Sequence, residues 1–376
     1  LQQYLSTYTL SVVFEKTENG KLIQQKLSYQ LNGNYYRRIS SANEWVTVMS
    51  EYGQNFENFE ITQDIDLSSV AQNVIVDRNL VNLKINSLRS ANGGSYTIRG
   101  LKYIAQEESE SIIASLAGTV ENVTFENMSI SNYERGLGGT NVGLIGQNNG
   151  TIQNVTFKGI EVKGNSANHV GCIGQNNGVV QDVTVQDVKI TSNKGSAAYV
   201  GGLIGYNTGT VSGIVAEGTS SGDNYRTHYT KKGQPQESEY SYVVNGGNYV
   251  GGVVGYSTSA YSDISLKAAY VGGWAYVGGI CSWADVVTVE NLSVGDPDDK
   301  RLPVMVTGSS QKVGGVIGSG PSGAGQGVYT YIKDIKLYNS YVIGQDYTGG
   351  LLGASGNWFV QMYDSFVEHA TISGNN

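Results

Sequence analysis

The stretch Gly201-Gly202-Leu203-Ile204-Gly205 is one copy of a phrase that recurs along most of this chain. Each copy places one or two glycines before a pair of mostly aliphatic residues, with a small residue behind the pair. The glycines directly before the pairs are Gly143, Gly171, Gly202, Gly252, Gly279, Gly315 and Gly350, at steps of 28, 31, 50, 27, 36 and 35 residues. A repeat of this length is typical of architectures built from stacked units, and not of a compact globule.

A second phrase follows each copy and sets the register of the repeats. Its clearest copies are segments 118–125, 150–157 and 178–185, which read GTVENVTF, GTIQNVTF and GVVQDVTV. With degraded copies included, eight units lie between about Ser111 and the C-terminus. Each unit holds three short runs of alternating, mostly β-branched residues, a pattern that favours strands. We therefore predict an all-β fold: a parallel β-solenoid of about eight coils, wound in the right-handed sense that parallel crossovers prefer.

The repeat glycines fit places where a coil turns or where two coils approach closely, because glycine lacks a Cβ and accepts positive φ. A row of Asn and Asp also recurs once per coil, with Gly213 in place of one member. A metal-binding row is one interpretation, and a structural ladder at the turns is the other. The neutral asparagines favour the ladder. The members of the row are Asn122, Asn154, Asp182, Asp263, Asn291, Asp334 and Asp364.

The N-terminal region lacks the repeat, and we divide the chain into residues 1–104 and a solenoid over residues 105–376. Glu18-Asn19-Gly20 between two apolar runs predicts a β-hairpin. Ser41 and Glu44 have the spacing of a capping box and precede apolar residues at helical spacing, which predicts one short helix as far as Tyr52. Because the open end of a solenoid exposes unpaired strand edges, we expect this region to cap the solenoid.

The step of 50 residues contains an insertion at about 218–248. Insertions in repeat arrays form loops, often on the binding face, although a polar loop with no binding role fits this composition as well. The candidate ligand-binding residues in it are Tyr225, His228, Tyr229, Tyr240 and Tyr242. On either interpretation, we expect the chain to fold after deletion of residues 220–246.

Tyrosine is unusually abundant, with 26 residues against 7 phenylalanines. Stacked tyrosines on a solenoid face could be a packing ladder, or they could bind a glycan or a protein, since the ring is apolar and the hydroxyl polar. Many of them flank the repeat glycines, namely Tyr199, Tyr206, Tyr249, Tyr256, Tyr276 and Tyr347.

Composition and motifs limit the possible functions. A net charge of −8 without a basic stripe argues against nucleic-acid binding, and no apolar run is long enough to cross a membrane. Cys172 and Cys281 occupy repeat positions and are expected to be buried. No zinc-peptidase, serine-hydrolase or phosphate-loop motif is present, so we predict no catalytic residue, no metal and no cofactor.

Acidic residues are the remaining candidates for chemistry, because some β-helix enzymes cut polysaccharides with clustered carboxylates. Asp64 and Asp66 lie on one face of a predicted strand. The other group, in a turn, is Asp296, Asp298 and Asp299. Neither group has a convergent partner in the sequence.

The phrase at 143–146, 202–205, 252–255, 315–318 and 350–353 resembles the GLUG repeat of bacterial surface proteins. Segment 59–67, FEITQDIDL, is similar to the strand that commonly introduces such repeats. GLUG repeats occur in adhesin-like solenoids and in the N-terminal region of immunoglobulin A-specific metallopeptidases, whose zinc site lies in a separate downstream domain. This chain carries no motif for such a site.

The resemblance implies an extracellular or surface-anchored bacterial module, which binds a host protein or glycan or serves as a spacer. The alternative is the non-catalytic N-terminal portion of an immunoglobulin A protease-like protein. A polysaccharide-degrading β-helix enzyme is the third hypothesis.

Overall fold

The computed structural model describes residues 7–18, 21–32, 36–52, 57–70, 83–104, 110–132, 140–164, 167–193, 198–219, 237–285, 288–299, 303–320, 330–355 and 360–374. The fold is all-β, with a parallel β-solenoid of about eight coils as its body, as the repeat predicts. In the described residues there is one α-helix, α1 (Ala42–Tyr52), and two 3₁₀ turns, at Ala91–Gly93 and Glu237–Glu239.

The strands before the repeats are β1 (Thr7–Glu18), β2 (Lys21–Asn32), β3 (Arg37–Ile39), β4 (Glu57–Ile61), β5 (Ile65–Asp66), β6 (Leu83–Ser90), β7 (Tyr96–Arg99) and β8 (Lys102–Ile104). Those of the first four predicted units are β9 (Glu110–Leu116), β10 (Thr119–Glu121), β11 (Val123–Glu126), β12 (Ser129–Ser131), β13 (Asn141–Asn148), β14 (Thr151–Gln153), β15 (Thr156–Lys158), β16 (Glu161–Gly164), β17 (His169–Val170), β18 (Ile173–Asn176), β19 (Val179–Gln186), β20 (Lys189–Ser192), β21 (Tyr199–Gly201), β22 (Ile204–Asn207), β23 (Thr210–Glu217) and β24 (Tyr242–Asn245). Those of the last four are β25 (Tyr249–Gly251), β26 (Val254–Ser257), β27 (Tyr261–Lys267), β28 (Ala269–Gly273), β29 (Val277–Gly278), β30 (Cys281–Ala284), β31 (Thr288–Val294), β32 (Met305–Gly308), β33 (Gln311–Gly314), β34 (Ile317–Ser319), β35 (Thr330–Tyr338), β36 (Tyr341–Ile343), β37 (Asp346–Gly349), β38 (Leu352–Ala354), β39 (Val360–Tyr363), β40 (Phe366–Glu368) and β41 (Thr371–Ser373).

Successive coils pair in parallel and in constant register. Ile152 of one coil lies beside Val180 of the next, and Val162 lies beside Ile190. The strands β8, β12, β16, β20, β24, β28, β32, β36 and β41 form one nine-stranded sheet, and a 30-stranded sheet follows the remaining sides of the coils. Like positions therefore form columns along the solenoid axis, and the inward columns are the core. One such column is Val120, Ile152, Val180, Val211, Tyr261, Val289 and Ile332, all of them buried.

The parallel stack begins before the boundary drawn at residue 105. Strand β4 pairs with β6, and β6 pairs in turn with β9 and β10. Strands β7 and β8 pair with β11 and β12 in the same way. The described residues between 57 and 104 therefore add coils to the solenoid, and helix α1 lies at its end. The sequence pattern did not predict these coils, because they lack the glycine phrase.

The helix α1 forms at the predicted capping residues. Ser41 Oγ accepts a hydrogen bond from the backbone N–H of Glu44 at 3.2 Å, and the Glu44 carboxylate accepts one from the N–H of Ser40 at 2.6 Å. The first bond satisfies a donor that the helix N-terminus leaves without an intrahelical partner, and the second holds the residue before the N-cap in place. Trp45 on the helix and Ile39 before it are buried in the main core, so the helix covers the first coil.

The row of Asn and Asp turns the chain because its members adopt positive φ. Asn122, Asn154, Asp182, Asp263, Asn291, Asp334 and Asp364 have φ between 49° and 56°. Asn and Asp tolerate this left-handed conformation better than other residues with a side chain. Gly213, at φ 67°, replaces them because glycine accepts it without strain. The row is structural, which agrees with the ladder interpretation.

The repeat glycines, in contrast, keep negative φ and mark the closest approach of neighbouring coils. A Cβ added to Gly202, Gly252, Gly279 or Gly315 would overlap the carbonyl oxygen of the equivalent glycine in the next coil. Only a residue without a side chain allows the coils to approach to this spacing.

A second polar ladder, which the sequence reading missed, lies inside the solenoid. The amide groups of Asn148, Asn176 and Asn207 are completely buried, and each donates to the next member at 2.7 Å, with Ser257 last at 2.9 Å. Each Asn side-chain oxygen also accepts the N–H of the glycine two residues later, such as Gly178 at 3.2 Å. Buried amides need this complete pairing, since an unpaired one costs about 1–3 kcal/mol. The recurring Asn-(Asn/Thr)-Gly triplet is the signal in the sequence.

The insertion at about 218–248 contains a regular rung of the solenoid. Strand β24 pairs with β20 on one side and β28 on the other. Ser241 Oγ donates to the carbonyl of Thr219 at 2.7 Å, which brings the two ends of the extra segment together. The structure argues against the expectation that the chain folds after deletion of residues 220–246, because that deletion removes β24.

Replacement of residues 220–236 by a short Gly-Ser linker should leave the thermal unfolding midpoint within a few degrees of the parent. Extending the same deletion through Gly246 should prevent cooperative folding, since loss of buried Tyr242 alone costs about 3–5 kcal/mol. Circular dichroism melts of both variants test this. Equal stability of the two would contradict the assignment of β24 as a rung.

Gly252→Ala should destabilise the protein by about 3 kcal/mol, because the new methyl group would overlap the Gly279 carbonyl and lie 2.6 Å from Leu266 Cδ2. Gly94→Ala is the matched control, since its nearest neighbour would be Ala91 O at 3.9 Å. Its effect should stay within about 0.5 kcal/mol. Denaturant unfolding measures both, and a harmless Gly252→Ala would refute the close-approach role.

Candidate functional site

The structure removes Tyr242 from the candidate ligand-binding residues. Its side chain is completely buried, and its hydroxyl donates to the carbonyl of Gly252 at 2.8 Å. Burial raises the pKa of this phenol well above its usual value. Tyr240 packs in a small buried cluster with Val243 and Met305, outside the main core. Tyr225, His228 and Tyr229 lie outside the described residues.

The candidate carboxylates hold turns and strands in place. Asp64 accepts the backbone N–H of Thr97 at 2.9 Å. Asp66 accepts the N–H of Ser68 and the Nε–H of Arg99, each at 3.0 Å. The Ser68 hydroxyl, together with these two groups, lowers the pKa of Asp66 to about 2.

Asp296 plays a similar part in the later acidic group. It pairs with Lys267 at 2.9 Å and accepts the backbone N–H groups of Asp298 and Asp299, at 2.9 and 3.2 Å. Lys267 and these bonds lower the pKa of Asp296. Within the described residues, no group of three or more His, Cys, Asp or Glu is placed to hold a metal ion.

The most distinctive surface of the solenoid is a stack of seven aromatic rings, which we name the aromatic ladder. All seven side chains are half-buried on one face. Backbone register places four in one column and three in a second column beside it. The first column is His169, Tyr199, Tyr249 and Tyr276, and the second is Tyr206, Tyr256 and Trp283.

The two columns interlock through near-parallel rings. His169 stacks on Tyr206 with a centroid distance of 4.9 Å, and Tyr199 stacks on Tyr256 at 4.8 Å. Within the second column, Tyr206 and Tyr256 are 5.5 Å apart at an interplanar angle of 12°. These distances fall in the range for favourable aromatic pairs. Most ring faces therefore meet other rings, while ring edges and hydroxyls are left for solvent or a partner.

Both ends of the ladder carry a polar group. At one end, His169 Nδ1 lies 2.6 Å from Asn141 Oδ1. At the other end, the Lys312 ammonium lies 4.7 Å from the Tyr276 ring centroid and 5.7 Å from that of Trp283. A cation at these distances is attracted by the π-electrons of the rings. Lys312 therefore closes the ladder at its C-terminal end.

At the first-column positions of the later coils, the backbone adopts a strained conformation with positive φ. Tyr276, Lys312 and Tyr347 have φ of 51°, 61° and 53° in three successive coils. Residues of this kind rarely adopt the left-handed conformation, which costs roughly 1–2 kcal/mol. Such strain is retained where the surrounding structure enforces it, and it is common at functional sites.

Three tyrosines of the ladder, Tyr199, Tyr249 and Tyr256, stay protonated at neutral pH. Desolvation is the main cause that raises the pKa of Tyr199, Tyr249 and Tyr256 above the usual value. For Tyr256, the nearby Asp285 carboxylate, 3.5 Å from the hydroxyl, adds to the effect. The phenols are therefore suited to hydrogen bonding and not to nucleophilic chemistry.

Sequence reasoning identified the tyrosines of the ladder but missed His169, Trp283 and Lys312. All three occupy repeat positions. Trp283 follows Ser282 as Tyr256 follows Gly255, and His169 and Lys312 precede Gly171 and Gly314 by two residues as Tyr199 precedes Gly201. Alignment of the glycine phrases alone would have revealed them. No helix in the described part of the chain is long and apolar enough to span a membrane.

Comparisons with known proteins add little. No protein-family model matches the chain, and no curated protein matches it. The fold is similar to a crystal structure described as a "putative immunoglobulin A1 protease from Bacteroides ovatus", with a TM-score of 0.41 and 16% identity over 90% of this chain and 86% of that one. A likeness this weak says nothing about function.

The stability of the protein should fall as the pH rises above about 10, the usual pKa of tyrosine. A phenol with a raised pKa in the folded state stays neutral there but ionises once unfolded, so alkaline pH favours unfolding. Unfolding measurements from pH 8 to 12 (approximate limits set by that pKa) test this. Tyr256→Phe should lessen the loss, and an equal loss would contradict the assignment to the ladder.

Proposed function

We propose that this chain is a non-enzymatic binding module of a secreted or surface-anchored bacterial protein, and that its aromatic ladder binds a host protein. The observation that carries the proposal is the stack of seven half-buried rings on one rigid face. The bacterial, extracellular setting rests on the resemblance of the repeated phrase to GLUG repeats.

The geometry of the ladder favours a protein partner. Binding of a sugar ring needs an open aromatic face, whereas here most faces are covered by neighbouring rings. Exposed ring edges and hydroxyls resemble instead the tyrosine-rich surfaces with which antibodies contact proteins. The rings are already held by stacking, so little side-chain entropy is lost on binding. An extended partner segment along the solenoid axis would contact successive coils.

Glycan binding is the second candidate, and a polar row beside the ladder favours it. Asn177 donates to Asn149 at 2.9 Å and accepts from Thr208 at 2.8 Å. The row lies two residues beyond the second-column positions, with Asn149 and Asn177 exposed and Thr208 half-buried. It offers amides and a hydroxyl to sugar hydroxyl groups.

A role as the non-catalytic part of an immunoglobulin A protease-like protein is compatible with either partner. A zinc-peptidase motif encoded downstream in the same gene would support that setting. Two hypotheses remain. One is a spacer that binds no ligand. The other is a polysaccharide-degrading enzyme, which ranks below the binding roles.

Binding should be measured by biolayer interferometry against purified immunoglobulin A, fibronectin and fibrinogen, and against a mammalian glycan array. The double variant Tyr206→Ser/Tyr256→Ser should weaken binding at least about tenfold, as expected for loss of aromatic contacts at the centre of an interface. Tyr331→Ser, on an exposed tyrosine away from the ladder, is the matched control and should bind as the parent does.

Tyr206→Phe/Tyr256→Phe separates the two contributions of these residues, because it keeps the ring stack and removes the hydroxyls. A parent protein that binds no protein or glycan of the panel would contradict the binding proposal and favour a spacer. Binding that survives the double serine variant would move the site away from the ladder. Signals confined to the glycan array would favour the second candidate.

A further inference from the structure

Trp274 lies at the corner between β28 and β29, and its ring is open to solvent. The residue is 55% exposed, whereas Trp45 is buried and Trp283 is half-buried in the aromatic ladder. Among the residues that the structure describes, no second ring and no cation lies against it. A tryptophan has one of the largest apolar surfaces of any side chain, so its exposure forgoes a favourable free energy of burial. A single exposed ring is not by itself a site, and the neighbouring residues decide whether it is one.

Both coils beside Trp274 have a small residue at the equivalent corner position. In the preceding coil this residue is Gly247, whose carbonyl accepts the backbone N–H of Trp274 at 2.8 Å. In the following coil Gly308 pairs with Gly273, so Ser309 occupies the position beside Trp274. Neither glycine nor serine has a side chain large enough to cover an indole ring. The faces of the Trp274 ring are therefore open, whereas most ring faces in the ladder are covered.

The corner of the following coil is one residue longer and supplies polar side chains. Residues 274–276 connect Gly273 to Val277, whereas residues 309–312 connect their register partners Gly308 and Val313. The carbonyl of Gln311 accepts the N–H of Tyr276 at 3.0 Å, which holds this longer corner against the coil of Trp274. Ser310 and Gln311 are half-buried, and their side chains make no hydrogen bond to another described residue. A hydroxyl and an amide are therefore available next to an open aromatic face.

We propose that Trp274, together with Ser310 and Gln311, binds a pyranose ring of a carbohydrate. A pyranose whose hydroxyls are mainly equatorial presents C–H groups on its two faces and directs its hydroxyls outward from the rim. The C–H groups pack on a flat aromatic surface, which Trp274 provides. The hydroxyls need donors and acceptors beside that surface, and a serine hydroxyl and a glutamine amide each offer both. Aromatic surface combined with a few polar groups is the usual composition of a small-ligand site.

A protein partner suits this corner less well than a sugar does. Protein interfaces surround an aromatic anchor with many further contact residues, but the adjacent corner positions, Gly247 and Ser309, offer little side-chain surface. One sugar on one ring buries a small area, so we expect weak binding, with a dissociation constant on the order of 1 mM. Trp274 precedes Tyr276 of the aromatic ladder by two residues, and the proposal is independent of what the ladder binds.

Nuclear magnetic resonance of the full chain tests the proposal, because the chain has four tryptophans and each gives one indole N–H resonance. The variants Trp274→Phe and Trp283→Phe identify the resonances of these two residues. The probes are cellobiose, lactose and N-acetyllactosamine, each titrated to about 20 mM, a limit set by the expected affinity. At least one of them should shift the Trp274 resonance saturably and leave the Trp283 resonance in place. A parent whose Trp274 resonance responds to none of the three sugars would overturn the proposal.

Saturation-transfer measurements on the sugar then compare variants of the corner. Trp274→Ala should weaken binding at least about tenfold, as expected for loss of an aromatic anchor, and Gln311→Ala should weaken it about threefold. Tyr331→Ala, on an exposed tyrosine in another coil, is the matched control and should bind as the parent does. Because Trp274 is exposed, its replacement should leave the thermal unfolding midpoint within a few degrees of the parent.

The ladder variant Tyr206→Ser/Tyr256→Ser distinguishes this site from the ladder. It should bind the sugar as the parent does, even if it loses a protein partner. Loss of sugar binding in this variant, with Trp274→Ala unaffected, would place the sugar on the ladder and overturn the proposal. Loss of a protein partner in Trp274→Ala, without any response of the parent to sugars, would make Trp274 a protein contact and would also overturn it.

Discussion

The hydrogen-bonded stacking of one coil on the next, at the strand spacing of about 4.8 Å, is the constraint on which the rest of this structure depends. The spacing leaves no room for a Cβ at Gly252 or Gly315. It also requires buried polar groups to find partners along the axis, as Asn148, Asn176 and Asn207 do. The sequence repeat therefore reflects one physical requirement, the fixed spacing between neighbouring coils, which recurs once per coil.

The same spacing creates the aromatic ladder. A column of side chains at about 4.8 Å brings flat rings to the separation at which they stack, so tyrosines 27 to 50 residues apart in the chain become neighbours. The stack fixes the rings and partly desolvates the hydroxyls of Tyr199, Tyr249 and Tyr256. A ladder made in this way stabilises the solenoid and presents a rigid surface, and the two roles do not exclude each other. The exposed edges and hydroxyls are what a partner would contact.

The departures from the repeat show which parts of the structure the sequence pattern predicts and which parts it misses. The eight repeat units were evident because their glycines and β-branched runs recur. The coils at residues 57–104 were missed because their packing does not use the glycine phrase. Residues 237–246 were assigned to a dispensable loop because they lie in the one unit that is much longer than the others. For this reason, strand β24 at the end of that unit was not recognised as part of the solenoid. Tyr242 is buried because it lies on β24, and its position in a tyrosine-rich segment of the sequence did not predict this burial.

The sequence by itself determined the fold class, the number of repeat units, the hairpin and the capping helix. Each of these depends on local periodicity, glycine placement or capping residues, which act over a few neighbours in the chain. Only the tertiary structure decided which tyrosines join the ladder, that Lys312 and His169 lie at its ends, and that Asp66 and Asp296 hold turns. Those contacts join residues of different coils or loops, and their partners are set by the register of the stack, a property that no single repeat contains.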